Sequence, residues 1–207
     1  VYSSYQLGMG RLAYADNDLE TARTHFSDAL EAAGSSIAGI AKLGQVRRFR
    51  AAARTSLGDI ALRTGKFKDA VKFYNDAKKG AQDDKRLDLM WPAQRGLGKS
   101  LWVQAAQEKD PKKALTLREQ ALANYRESLA TIETLREGSL RADESRSTFL
   151  ATIKDVFDEA GGAYAAMRPG SPAWSRRTMV AGAALAVVSD AVEVLAATQG
   201  LPGWGGG

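Results

Sequence analysis

One pattern constrains this chain more than its composition does: a recurring alternation of small and large side chains at fixed offsets. With Gly10 as origin, Tyr14 stands at +4, Leu19 at +9, Ala22 at +12, Phe26 at +16 and Ala29 at +19. With Gly58 as origin, the same offsets carry Leu62, Phe67, Ala70, Tyr74 and Ala77. Both segments place a small polar turn in the same register, Asn17-Asp18 and Gly65-Lys66. Two helices joined by a tight turn approach closely only where a small side chain faces a large one. Gly10 and Gly58 leave that room on the first helix of each pair. Phe26 and Tyr74 fill it from the second. One such hairpin cannot bury its apolar face alone, so hairpins of this type stack.

A third copy is partial. Leu97-Gly98 repeats Leu57-Gly58, and Trp102 takes the +4 position. The second-helix signature returns as Ala121, Tyr125 and Ser128, 11 residues late. Eleven residues are about three helical turns, so the lengthening preserves which faces meet. The first step between copies is 48 residues and the second is 40.

Punctuation along the chain agrees with helices throughout. The spacing predicts helices over 3–15, 19–33, 36–63, 67–80, 86–108, 111–136, 141–167 and 172–199. Their stops are Gly34, Gly65, Gly80, Gly138 and Pro169-Gly170. Asp110-Pro111 marks a boundary whose proline suits the first turn of a new helix, and Ser171-Pro172 reads as an N-cap followed by a first-turn proline. No segment sustains a period-two alternation, so no sheet is expected. The organisation read from this is repeats over 1–138, additional long helices over 139–199 and a glycine-rich tail over 200–207.

The chemistry that composition excludes is broad. Cysteine is absent, which removes disulfides, thiolate metal sites and cysteine nucleophiles. The single histidine, His25, has no motif partner for a triad or a metal site and is expected to be structural or solvent-exposed. Gly96-Leu97-Gly98-Lys99-Ser100 lacks the spacing of a phosphate-binding loop, and no strand precedes it. No catalysis, cofactor or metal is expected. The formal charge is +5. Residues 51–100 hold eleven basic and six acidic side chains, while the remainder is near balance. Within this quarter, Lys66, Lys68, Lys72, Lys78, Lys79, Lys85 and Arg86 alternate with Asp69, Asp76, Asp83 and Asp84. Mixed charge of this kind reads as a solvated helix face, with nucleic-acid binding through 66–86 as the lesser alternative.

These hairpins resemble tetratricopeptide repeats, whose small-and-large pattern is carried by Leu57-Gly58, Leu62, Ala70, Tyr74 and Ala77, across roughly residues 3–131. The resemblance implies an all-α, antiparallel helix-hairpin solenoid with a right-handed superhelix, here with lengthened helices and a C-terminal apolar helix. The copies exceed the family period of about 34 residues, and the proline that usually follows each second helix is missing. The first helix of each hairpin in that family lines a concave face that binds ligands. Carried over by register, the lining residues are Arg11 and Tyr14, then Asp59 and Arg63, then Arg95, Lys99 and Trp102, with Leu7, Thr55 and Leu62 beside them. Arg95 and Lys99 are four apart and share a helix face. With Arg11 and Arg63 they make a cationic groove for an acidic peptide or a C-terminal carboxylate, and Tyr14 and Trp102 supply contact area. Packing between hairpins is the competing role for Tyr14, Leu62 and Trp102.

The stretch 124–167 more weakly resembles the helices that join such repeats to a caspase-like CHAT peptidase domain in bacterial proteins, on Arg141, Glu144, Arg146, Phe149 and Phe157. The alternative function is therefore a regulatory or sensing module of such a peptidase system. In 172–199, Val180, Ala184, Val187, Ala191 and Val194 form one stripe, and Met179, Leu185, Val188, Val192 and Leu195 cover much of the rest. A helix apolar on most sides is expected to be buried, across the array, in a homodimer or against a further domain. The longest apolar run, Thr178 to Ser189, is too short to span a bilayer. A soluble protein is expected, cytoplasmic or, after removal of a leader, periplasmic.

Overall fold

The computed structural model describes residues 2–35, 43–139 and 143–167, and all of these segments are helical apart from short turns. The helices are α1 (Tyr2–Ala15), α2 (Leu19–Ser35), α3 (Leu43–Arg63), α4 (Phe67–Asp83), α5 (Leu87–Gln107), α6 (Pro111–Ser139) and α7 (Asp143–Met167). Packing divides the chain into two units, 1–141 and 142–207. In the second, α7 buries Val156, Ala160 and Ala163 along one stripe. The expected helix over 172–199 and its dimer contact lie outside the described residues.

In the first unit each helix packs on the next in sequence, and α3 also meets both α1 and α5. The reason is the small-against-large register. Gly10 has no room for a side chain, because the Phe26 ring lies 2.6 Å from where a Cβ would stand. At Gly58 the Tyr74 ring is 2.8 Å away, and at Gly98 the Tyr125 ring is 3.0 Å away. Three first helices thus receive an aromatic ring from their own second helix. Gly96 adds a fourth seat, since the same Tyr74 ring also fills the space a Cβ would take there. Tyr74 is therefore clamped between α3 and α5, with no exposed surface. Ala22, Ala29, Ala70 and Ala77 are equally buried and let the second helices come close.

Three connections share one turn. Asn17, Gly65 and Lys85 have φ of 64°, 75° and 51°. In each case the next residue donates its N–H five residues back, from Asp18 to Ala13, Lys66 to Ala61 and Arg86 to Ala81. This double-bonded helix end requires one left-handed residue, which asparagine and glycine adopt readily. Lysine does not. Lys85→Gly is expected to raise stability by about 1 kcal/mol, read as a shift in a urea-unfolding midpoint.

Two helix starts are capped by aspartate side chains. Thr21 N–H donates to Asp18 Oδ1 at 3.1 Å, and Lys112 N–H donates to Asp110 Oδ1 at 2.9 Å, ahead of Pro111. Several expected stops differ. α2 continues past Gly34 to Ser35, and α6 past Gly138 to Ser139. α4 continues through Gly80 to Asp83, because Ala81 is buried and holds the last turn in the core. Of the expected helix over 36–63, residues 43–63 are helical and 36–42 lie outside the described residues.

Candidate functional site

The first helices α1, α3 and α5 turn a common face toward two cavities of about 450 and 490 Å³. Arg11, Ser56, Asp88 and Leu89 line only the first. Leu62, Arg63, Arg95, Lys99 and Val103 line only the second. Tyr14, Thr55, Asp59 and Pro92 line both, so the cavities meet along one groove. Of the seven residues singled out from sequence, six fall here: Arg11, Tyr14, Asp59, Arg63, Arg95 and Lys99. Their spacing explains it. Each follows the glycine origin of its copy by one to five residues or precedes it by three, which puts all of them on the side of the first helix away from the second-helix turn.

Trp102 lines neither cavity. Arg118 of α6 lies over its ring, 5.9 Å from the centroid. Arg118 stands at the register position that Phe67 holds in the second copy. Phe67 remains beside the groove with Leu62. A guanidinium prefers an aromatic face, so the third copy pairs its +4 residue with α6. A peptide docked between the first helices would lose an aromatic wall in Tyr14→Ala and weaken by about tenfold, while Trp102→Phe would change its affinity by no more than about twofold, both measurable by calorimetry.

At the groove wall, the Arg63 guanidinium lies 5.2 Å from the Tyr14 ring centroid, joining α3 to α1. At its floor, Tyr74 Oη donates to Asp59 Oδ1 at 2.5 Å. Burial pushes the Asp59 carboxyl above its ordinary value, while the Tyr74 hydroxyl bond and the charges of Arg95 and Lys99 pull it back. The Tyr74 hydroxyl is pushed up as well, first by burial and then by Asp59, and so remains a donor. The floor is a fixed polar pair, and the cations stand around it.

The raised carboxyl has a signed consequence. Between the ordinary carboxyl range and its folded value, the folded chain holds a proton at Asp59 that the unfolded chain has lost. Stability therefore falls as pH rises through that window. Asp59→Asn removes this titration and keeps an acceptor for Tyr74. Its stability relative to wild type should improve from pH 4 to pH 7 in urea unfolding, and a flat difference would refute the assignment.

The remaining candidates are placed elsewhere. His25 Nδ1 lies 2.6 Å from Gln6 Oε1, and Gln6 Nε2 donates to the Tyr2 hydroxyl at 2.7 Å, so the histidine ties α2 to α1. The basic segment 66–86 is split. Lys78 reaches across to Glu127 and Asn124 of α6, and Arg86 pairs with Asp88 at 2.6 Å. Lys66, Lys68, Lys72, Lys79 and Lys85 are exposed, with Asp69 and Asp76 among them. Among the described residues, no cluster of acidic and histidine side chains could hold a metal, and no helix is long and apolar enough to cross a membrane.

Gly96 is the residue that sequence reasoning missed. It was legible only as part of a failed phosphate-loop pattern, whereas the structure makes it the second seat of Tyr74. A scan against family models, a search of curated proteins and a search of solved structures return no match to this chain.

Proposed function

We propose that residues 2–139 form a tetratricopeptide-like array of three helical hairpins that binds an acidic peptide or protein segment without catalysis. The observation that carries this reading is the convergence of Arg11, Arg63, Arg95 and Lys99 on one groove, beside the exposed edge of Tyr14. The groove is lined mainly by the first helix of each hairpin, with Phe26, Phe67 and Tyr74 added from the second helices. Four cations from three helices form a field that a single acidic side chain cannot satisfy, while an extended chain can. Asp59 and Asp88 break that field at intervals. They disfavour a uniformly anionic polymer and suit a segment with spaced carboxylates.

Stacking supports the same reading. The clamp of Tyr74 between Gly58 and Gly96 joins the second hairpin to the third through a rigid ring, which holds the groove walls at fixed separation. The test is titration calorimetry with a short acidic peptide at two salt concentrations. Binding at low salt that weakens as salt rises supports the cationic groove. Salt-insensitive binding, or none, refutes it.

A further inference from the structure

Asp59 stands where an acidic ligand has to compete with it. Among the described residues that line the second cavity, Arg63, Arg95 and Lys99 are the cations and Asp59 is the one carboxylate. The Arg63 guanidinium lies over the Tyr14 ring, 5.2 Å from its centroid. Arg95 and Lys99, one turn apart on α5, are the cations whose charges act on Asp59. In the first cavity, Asp88 is held through both carboxylate oxygens by Arg86, at 2.8 and 2.6 Å, so its charge is already compensated. Asp59 is thus the resident counter-ion of the Arg95–Lys99 pair.

The ionised form of Asp59 depends on that pair. Burial is the largest influence on the carboxyl and favours its neutral form. The Tyr74 hydroxyl of α4, donating at 2.5 Å, and the two cations of α5 favour the ionised form. From the other elements packed on α3, α1 brings Arg11 and Tyr14 to the groove, and α2 brings Phe26, which carries no charge. A ligand carboxylate seated on Arg95 and Lys99 takes up the charges that support Asp59 and sets a like charge beside a buried acid. Both changes favour a protonated Asp59.

We infer that Arg95 and Lys99 form an anion subsite which Asp59 serves in the free chain, that a carboxylate side chain of the ligand replaces Asp59 there, and that the exchange moves one proton from solvent onto Asp59. The inference rests on the acidic-segment reading of the groove. Tyr74 remains the donor to Asp59 in both states. By linkage, ligand affinity rises as pH falls through the range in which the free chain holds Asp59 ionised and the complex holds it protonated. The rise is at most about tenfold for each pH unit, the limit for one proton. Below that range Asp59 is already neutral, and the exchange takes up no proton.

The probe is an acetylated, amidated peptide carrying three spaced cysteic acids, whose sulfonates stay ionised where carboxylates titrate. It is titrated onto the full chain by calorimetry from about pH 5 to about pH 8, in pairs of buffers with different ionisation enthalpies. Wild type should bind in a salt-sensitive way, more tightly toward acid pH, with uptake that approaches one proton. Asp59→Asn keeps an acceptor for Tyr74 and removes the competing charge. It should bind at least about threefold more tightly at neutral pH, with no proton uptake and little dependence on pH. Tyr74→Phe keeps the ring in its clamp and removes the hydroxyl that favours the ionised form, so its affinity should begin to rise at a higher pH than that of wild type. Salt-sensitive binding without proton uptake, or uptake that Asp59→Asn leaves intact, overturns the exchange while the cationic groove stands. Absence of binding at every pH overturns both.

Discussion

Two alanine substitutions at glycines of this chain should move stability in opposite directions. Gly8→Ala is expected to stabilise by about 0.5–1 kcal/mol, and Gly96→Ala to destabilise by about 2 kcal/mol. Both glycines lie inside helices, so each loses about 1 kcal/mol of helix-forming tendency relative to alanine. At Gly8 nothing stands within 4 Å of the added methyl, and that gain is realised. At Gly96 the methyl would stand 2.3 Å from the Tyr74 ring. Overpacking typically costs about 1–3 kcal/mol, and the upper end applies where the neighbour cannot move. Tyr74 cannot, since Gly58 bounds it on the other side and its hydroxyl is held by Asp59. Removing the ring is worse. Tyr74→Ala should cost about 3–5 kcal/mol, the range for truncating a large buried aromatic side chain. Combining Gly96→Ala with Tyr74→Leu should cost less than the sum of the two, because the smaller side chain vacates the space the methyl needs. Urea unfolding of the single variants Gly8→Ala, Gly96→Ala, Tyr74→Ala and Tyr74→Leu, and of the double variant, measures all of this. Equal effects at Gly8 and Gly96 would mean that the clamp does not exist.

The second large effect concerns binding. Arg95→Glu with Lys99→Glu should weaken an acidic peptide by at least about tenfold at low salt and remove most of the salt dependence. Lys99 is exposed and Arg95 half-buried, so the fold should tolerate the pair of reversals within about 0.5 kcal/mol. The matched control is Lys68→Glu with Lys72→Glu, which changes the net charge equally on the exposed side of α4. If attraction came from overall charge, both pairs would act alike. A groove ligand distinguishes them, because Arg95 and Lys99 stand beside Asp59 and Tyr14 in the groove, and Lys68 and Lys72 do not line it. Nucleic-acid binding through 66–86 would reverse the ranking.

How much of this was legible in the sequence depends on what each residue answers to. The pairing of Gly10 with Phe26, Gly58 with Tyr74 and Gly98 with Tyr125 was readable, because side-chain volume at a fixed helical offset decides it and nothing distant intervenes. The turns at Asn17 and Gly65 were readable because those residue types accept a positive φ. Lys85 makes the same turn without that signature, and the sequence placed the stop at Gly80, where a buried Ala81 overrides it. Six residues carried over by register from the repeat resemblance line the two cavities. Trp102 does not, since its surroundings depend on where the longer α6 brings Arg118. The Asp59–Tyr74 bond was invisible for a similar reason. It joins two elements through a polar contact that neither volume nor periodicity encodes.

The most direct test of the groove is an amide-shift titration of the isotopically labelled chain with an acidic peptide. Perturbations should concentrate at Tyr14, Thr55, Asp59, Arg63, Arg95 and Lys99, on three different helices, and fade as salt is added. Perturbations confined to the exposed sides of α2 and α4, or none at all, would contradict the central claim that the first helices of successive hairpins share one cationic binding face.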